Sequence, residues 1–322
     1  MNKLFTLKDI STYRSELMGW AILWIMMLHF TFTQIKPFGF VAQYGFAGVD
    51  VFMLVSGFGL YFSLDKDSNL SHFYKKRLLR IFPTYYLLGI FASTLLYHDD
   101  IITYLFRYTT IGFWIGGVYG EWYIPSIVFL YILAPFLKKN YDKMLFVIII
   151  SICCICLLAS YILVNNEYIT NREPHFFLLY RIPAFILGMT CAHWIKKGLP
   201  EKYYYFLLVI GIPFFIFLFP RHHEIYNFKY LSLVFLLPLF TICFIFISKL
   251  TKTISPLISA IGKASLEIYI IQGMYFHAVL AGKIVVPMEY HDMISILLII
   301  LSSLFGIAFH WFVEKIVITR LF

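Results

Sequence analysis

Runs of about twenty apolar residues recur down the whole chain, and no other feature restricts its fold so tightly. A helix needs roughly 20 such residues to cross a ~30 Å hydrocarbon core, where lipid offers no partner for its backbone groups. Ten stretches meet that length: 15–35, 44–64, 79–97, 121–137, 144–164, 175–195, 203–220, 229–248, 258–279 and 293–313. The segment 101–120 is apolar but carries Arg107 and several glycines, so it is expected in the interface or re-entering the bilayer. Only 13% of the 322 residues are charged and 61% are hydrophobic, too little polar surface to coat a soluble globule. Lys3, Lys8, Asp9, Arg14 and Glu16 precede or open the first run, which lacks a small-residue cleavage site, so it reads as a retained span and not as a secretory signal. The expected fold is an all-α polytopic bundle, one transmembrane domain over 1–322 with no internal repeat.

Ten spans with both termini inside place nineteen of the 26 Lys and Arg on the cytoplasmic side. Positive charge concentrates on cytoplasmic loops, and dropping one span would invert every later loop and destroy the bias. The net charge of +9 is spread over many short loops, which points to a lipid bilayer as the partner and away from nucleic acid. Five cysteines, Cys153, Cys154, Cys156, Cys191 and Cys243, lie inside apolar runs without metal-type spacing and read as small hydrophobes. The polar groups His98, Asp99 and Asp100, and His222, His223 and Glu224, read as loop surface, and no metal is expected.

Ionisable groups within spans are costly and face the bundle interior. His29 lies about six residues from the external end of the first span, and Asp50 about six residues into the second from the same side, which places both roughly 9 Å deep. A carboxylate beside an imidazole would fix its tautomer for general-base work. Equally open is a His29 bonded to a backbone carbonyl, with Asp50 paired elsewhere. Lys75, Lys76, Arg77 and Arg80 crowd one membrane entry, and Arg77 and Arg80 share a helix face. Guanidinium forks suit phosphates, whereas a plain anchor against anionic lipid would need the same charges. Arg181 either snorkels outward or serves as an internal counter-charge. Glu267 is expected to pair with Lys263 one turn back.

The ordered set of motifs resembles the membrane-bound acyltransferase 3 family over nearly the whole chain. LMGWAILWIMMLHF is similar to the family's first-span motif ending in His, and GVDVFMLVSGFGLYF to its Gly-Val-Asp and Ser-Gly-Phe signature. FYKKRLLRIFPTYY resembles its Arg-x-x-Arg loop, and WYIPSIVFLYILAP, RIPAFILG, IGKASLEIYIIQ and FHWFVEK follow in the family's order. The family usually carries Arg eleven residues before the His, where this chain has Met18. Arg14 lies one turn earlier, about 60° around the helix from His29, and could reach up the same face. Ile127 stands where some members have Glu, and Gln272 where a His is frequent.

The resemblance implies an integral membrane O-acyltransferase that moves acetyl from cytoplasmic acetyl-CoA to a hydroxyl of a sugar, glycan or lipid-linked intermediate, as in cell-envelope polysaccharide modification. It implies His29 and Asp50 as the catalytic pair, and Arg77, Arg80, Lys75, Lys76 and Arg14 as the donor-binding set. Ser56, Trp122, Tyr123 and Arg181 fall within the matching motifs as substrate-side candidates, and a bacterial plasma membrane is the expected location. Two other readings compete. One is a transporter or flippase of a glycan or lipid-linked sugar, against which the chain shows no half-to-half symmetry; the other is a catalytically silent relative, motivated by Met18.

Overall fold

The computed structural model describes residues 5–30, 36–66, 69–115, 121–141, 174–218, 233–280, 282–285, 290–317 and 319. Among them all regular structure is helical. In chain order the helices are α1 (Asp9–Thr12), α2 (Arg14–Phe30), α3 (Lys36–Ala42), α4 (Ala47–Lys66), α5 (Leu70–Ala92), α6 (Ile101–Tyr108), α7 (Ile111–Ile115) and α8 (123–141). There follow α9 (Pro174–Lys196), α10 (Lys202–Leu218), α11 (Leu237–Leu250), α12 (Ser255–Lys263), α13 (Ser265–Leu280) and α14 (His291–Phe312). α5 and α14 each run on into a π-helical turn, Ser93–Tyr97 and Val313–Val317. Four of the described helices are long and apolar enough to cross a membrane by length and composition: Ala47–Lys66, Leu70–Tyr97, Leu178–Lys196 and His291–Val317. The expected span 144–164 with its three cysteines lies outside the described residues, as do His222, His223 and Glu224.

The helices pack through small residues, as helices must where lipid removes the hydrophobic drive for association. α4 and α9 cross so closely that a Cβ on Gly57 would overlap the carbonyl of Phe185, and one on Gly188 the carbonyl of Leu54. α2 and α12 meet in the same way at Gly19 and Gly262. α2 and α4 thus lie side by side at the centre, with almost all of α4 from Ala47 to Phe58 buried. Exposed Leu, Ile and Phe side chains on α10 and α14 form the outer, lipid-facing surface.

The segment 101–120 does not form a span over its described part. Asp100 caps α6 by accepting from the Thr103 amide at 2.7 Å, and Arg107 grips Asp99 through two bonds of 2.7 and 2.9 Å. Asp99 and Asp100 therefore tie down α6 and are not loose loop polarity. The charged contacts also group by end of the bundle. Asp65 with Lys138 and Lys196, Asp9 with Lys249 (2.8 Å) and Arg80 with Glu314 (3.2 Å) gather at one end. Arg107 with Asp99, and Lys283 with the Leu96 carbonyl, lie at the other. Each contact joins residues that the span count places on the same side of the membrane.

Candidate active site

Helical spacing brings one polar-edged face of four helices around a common space. Arg14, Met18 and Ile25 on α2 repeat at four and seven residues, Val49, Phe52 and Ser56 on α4 at three and four, and Tyr123, Ile127 and Tyr131 on α8 at four. Together with His72, Lys76, Arg77 and Arg80 from α5 they enclose a cavity of about 500 Å³. Its mouth is cationic: Arg14, Lys76, Arg77 and Arg80 stand there, with Glu314 as the acid. Its inner end is apolar or aromatic, at Ile25, Val49, Phe52 and Tyr269. Along α2 it extends from Arg14 to Ile25, ~16 Å at 1.5 Å per residue.

His29 stands one turn beyond Ile25, so the cavity ends ~6 Å short of it along the helix. The imidazole is held from one side. Its Nδ1 lies 2.7 Å from Oε1 of Gln272, and its ring is 5.0 Å from that of Phe276. An amide oxygen can only accept, so Nδ1 carries the proton and Nε2 is left with its lone pair, the arrangement a general base requires. The amide nitrogen of Gln272 is buried without a partner among the described residues.

Asp50 is not the partner of His29. Its Oδ2 sits 2.5 Å from Nη1 of Arg181, and both side chains are almost wholly buried between α4 and α9. The expected carboxylate–imidazole pair is therefore replaced by two separate pairs, His29 with Gln272 and Asp50 with Arg181. Equal depth does not set direction: the α4–α9 crossing at Gly57 and Gly188 brings Arg181 to Asp50. Arg181 is accordingly an internal counter-charge and does not snorkel outward.

Glu267 also differs from expectation. Instead of pairing with Lys263, its Oε1 accepts from Thr84 Oγ1 at 3.1 Å and lies 3.2 Å from His310 Nδ1. Arg80 joins this group, with Nη1 3.3 Å from His310 and 3.2 Å from Glu314, and Nη2 donating to the Lys263 carbonyl at 2.7 Å. Arg80 is thereby fixed at the mouth, while Arg77 lies 5.7 Å from the Phe73 ring and keeps a buried Nε without a partner among the described residues. Lys75 is exposed and, like Trp122, lies outside the cavity wall, whereas Ser56 and Tyr123 line it.

Sequence reasoning assigns no role to Gln272, His310 or Glu121. Glu121 packs its carboxylate against Gly273, one residue from Gln272, and lies 3.9 Å from Nε2 of His277. The signal for all three is the same, a polar side chain in or beside an otherwise apolar helix.

A helical bundle sheathed in apolar side chains defines an integral membrane protein, and a cation-rimmed cavity within it runs toward the half-buried imidazole of His29. The chain belongs to the acyltransferase 3 family, whose acyltransferase-domain model matches residues 17–315. It is also 27% identical over 183 residues to a protein of Acidianus two-tailed virus named "Putative acetyltransferase ORF330". That match covers 54% of this chain and 53% of the viral protein, so it spans about half of each. No solved structure matches the chain.

Proposed function

We propose that this protein is a membrane O-acetyltransferase that takes acetyl from cytoplasmic acetyl-CoA and places it on a hydroxyl of a sugar, glycan or lipid-linked intermediate. The observation that carries the reading is a cavity that runs from a cationic mouth along α2 to within ~6 Å of the level of His29. The cations suit the phosphates of a CoA thioester, and the narrow, mainly apolar interior suits its pantetheine arm. Family membership and the name of the viral relative support acyl transfer as the reaction class.

Arg77, Arg80, Lys76 and Arg14 would hold the donor's phosphates, with Arg80 kept in place by Glu314, His310 and the Lys263 carbonyl. The thioester carbonyl would then reach the region of Ile25 and Phe52, close to His29. Nε2 of His29 would take the proton of the acceptor hydroxyl as its oxygen attacks that carbonyl. The C–S bond breaks, the thiolate takes up a proton, and His29 returns to neutral as the proton leaves. Gln272 would hold the imidazole in the productive tautomer. Asp50 would act through α4, since its neutralisation of Arg181 fixes the wall formed by Val49 and Phe52. A positioned general base contributes about 10² to 10⁴ in rate. His29→Ala should therefore lower acetyl transfer by at least that factor while leaving the protein inserted and able to bind CoA. Transfer at the wild-type rate by that variant would overturn the assignment.

A further inference from the structure

Two neighbouring stripes of α13 face two different groups. Gln272 and Phe276, four residues apart, hold the His29 ring. Tyr269, Gly273 and His277, spaced in the same way, form the adjoining stripe, and Glu121 lies along it. The Glu121 carboxylate occupies the space that a side chain at Gly273 would fill, accepts a hydrogen bond from the Tyr269 hydroxyl and stands 3.9 Å from Nε2 of His277. Tyr269 itself lines the inner end of the cavity, so one side chain separates this carboxylate from the place where the thioester would react. His277 is also close enough to His29 for the two rings to interact electrostatically.

No step of the acyl transfer described above uses this acid and this imidazole, yet an ionisable group inside a bundle is costly to keep. The hydroxyls of Tyr85, Tyr97 and Tyr108 that face Glu121 are phenols, neutral at pH 7, and do not balance its charge. Arg107, which faces His277, is held by its two bonds to Asp99. Exposure rises outward along the pair, from 12% of the Glu121 side chain to 36% of His277. His277 stands beside Tyr97, with ring centroids 6.2 Å apart, at the end of the bundle opposite the cationic mouth. A line of ionisable groups therefore leads from His29 to the surface at that end, through His277 with Glu121 at its side. Toward the mouth the inner end of the cavity is apolar or aromatic, and the carboxylate in its described lining, Glu314, stands at the mouth itself.

We propose that His277 and Glu121 carry the acceptor's proton from His29 to the end of the bundle opposite the donor mouth. This rests on the acyl-transfer reading above and adds where its proton goes. The acceptor O–H bond breaks as the proton passes to Nε2 of His29, the new C–O bond forms and the C–S bond breaks. The thiolate takes its proton from water at the mouth. The His29 imidazolium passes its proton through water to His277, and the Glu121 carboxylate stabilises the cation formed there until the proton leaves to bulk water. Each acetyl transferred thus takes up one proton at the mouth and releases one at the opposite end, with none made or consumed overall. Glu121 acts through His277, and His277 through His29; neither touches the acyl group.

The test uses the full chain in phosphatidylcholine proteoliposomes, with a pH-sensitive dye in the lumen, labelled acetyl-CoA outside and octyl glucoside as the acceptor probe. Valinomycin and potassium offset the charge moved. Molecules whose mouth faces outward should acidify the lumen by one proton for each acetyl transferred. His277→Ala and Glu121→Gln should each slow transfer by at least about tenfold, with the donor KM within about twofold of wild type. Imidazole in the buffer should restore the rate of His277→Ala, and Glu121→Asp should recover part of the loss, neither of which a misfolded chain would allow. Wild-type rates in both variants would overturn the proposal, as would transfer without lumenal acidification or a loss in His277→Ala that imidazole leaves unchanged. Histidine-selective NMR of the chain in nanodiscs reads the same coupling without an acceptor. The His29 resonances should respond to protonation of His277, and His277→Ala should remove that response; its absence in the wild type would overturn the relay. If the response is present but the wild type transfers no acetyl, the coupled pair stands and the acyl-transfer reading fails.

Discussion

Replacing Gln272 by Leu isolates the contribution of the group that orients His29. The substitution nearly keeps the volume and removes the acceptor that lies 2.7 Å from Nδ1. Gln272 is fully buried, so no bulk water stands ready to replace the lost acceptor. An unsatisfied buried donor costs ~1 to 3 kcal/mol, and the imidazole escapes that cost by adopting the other tautomer, which puts the proton on the nitrogen that should accept. At 1.36 kcal/mol per tenfold, kcat should fall roughly five- to 150-fold. Because Gln272 does not line the cavity, the donor KM should stay within about twofold, a split that general unfolding would not produce. Gln272→Glu returns an acceptor to the same place and should recover most of the loss. The assay is steady-state transfer of labelled acetyl from acetyl-CoA, paired with calorimetric CoA binding. An unchanged kcat in Gln272→Leu would refute the tautomer argument, and an equal rise in KM would show that the residue acts on donor binding.

Two further outcomes follow from the charges away from His29. Asp50→Ala removes the carboxylate that faces the buried Arg181 and should cost about 3 to 5 kcal/mol, whereas Asp50→Leu with Arg181→Met should recover much of it; thermal unfolding in detergent measures both, and a fully stable Asp50→Ala would contradict the pairing. At the far end, the bonds from Arg107, and then from Ser93, hold the Asp99 carboxyl below its ordinary 3.8. A depressed carboxylate stabilises the fold above its unfolded value and loses that contribution as pH falls through the folded one, so hydrogen-exchange protection of α6 should drop below about pH 4. Asp99→Asn should remove that acid dependence and leave α6 less protected at neutral pH; an unchanged acid limb in the variant would assign it to another group.

Much of this arrangement is legible in the amino-acid order, because the bilayer imposes a length and a cost. The helical bundle, the shared cavity wall of Arg77 and Arg80, and the need of buried Asp50 for a counter-charge follow from helical spacing and from the expense of burying an ion. Arg14 and Met18, one turn apart on α2, both line the cavity, as helical spacing implies. What a single chain does not reveal is the azimuth of one helix against another. The partner of Asp50 lies 131 residues away and that of His29 lies 243 away. The first is selected by the close α4–α9 crossing at Gly57 and Gly188, and the second by how α13 faces α2, neither of which one sequence specifies. Glu267 shows the same limit at short range. Lys263 is its neighbour by helical count, yet α12 ends at Lys263 and α13 begins at Ser265, so the two residues belong to different helices. Glu267 instead faces Thr84 and His310.

The central claim is that the donor's acyl group reaches His29 through the cavity between α2, α4, α5 and α8, and Ser56→Trp tests it most directly. Ser56 lines that cavity, on α4 between Phe52 at its inner end and the basic mouth, and an indole there should fill the passage. Single-turnover transfer of labelled acetyl should then fall by at least about 10², while thermal unfolding in detergent stays close to that of the wild type. Transfer at the wild-type rate through the plugged cavity would contradict the account.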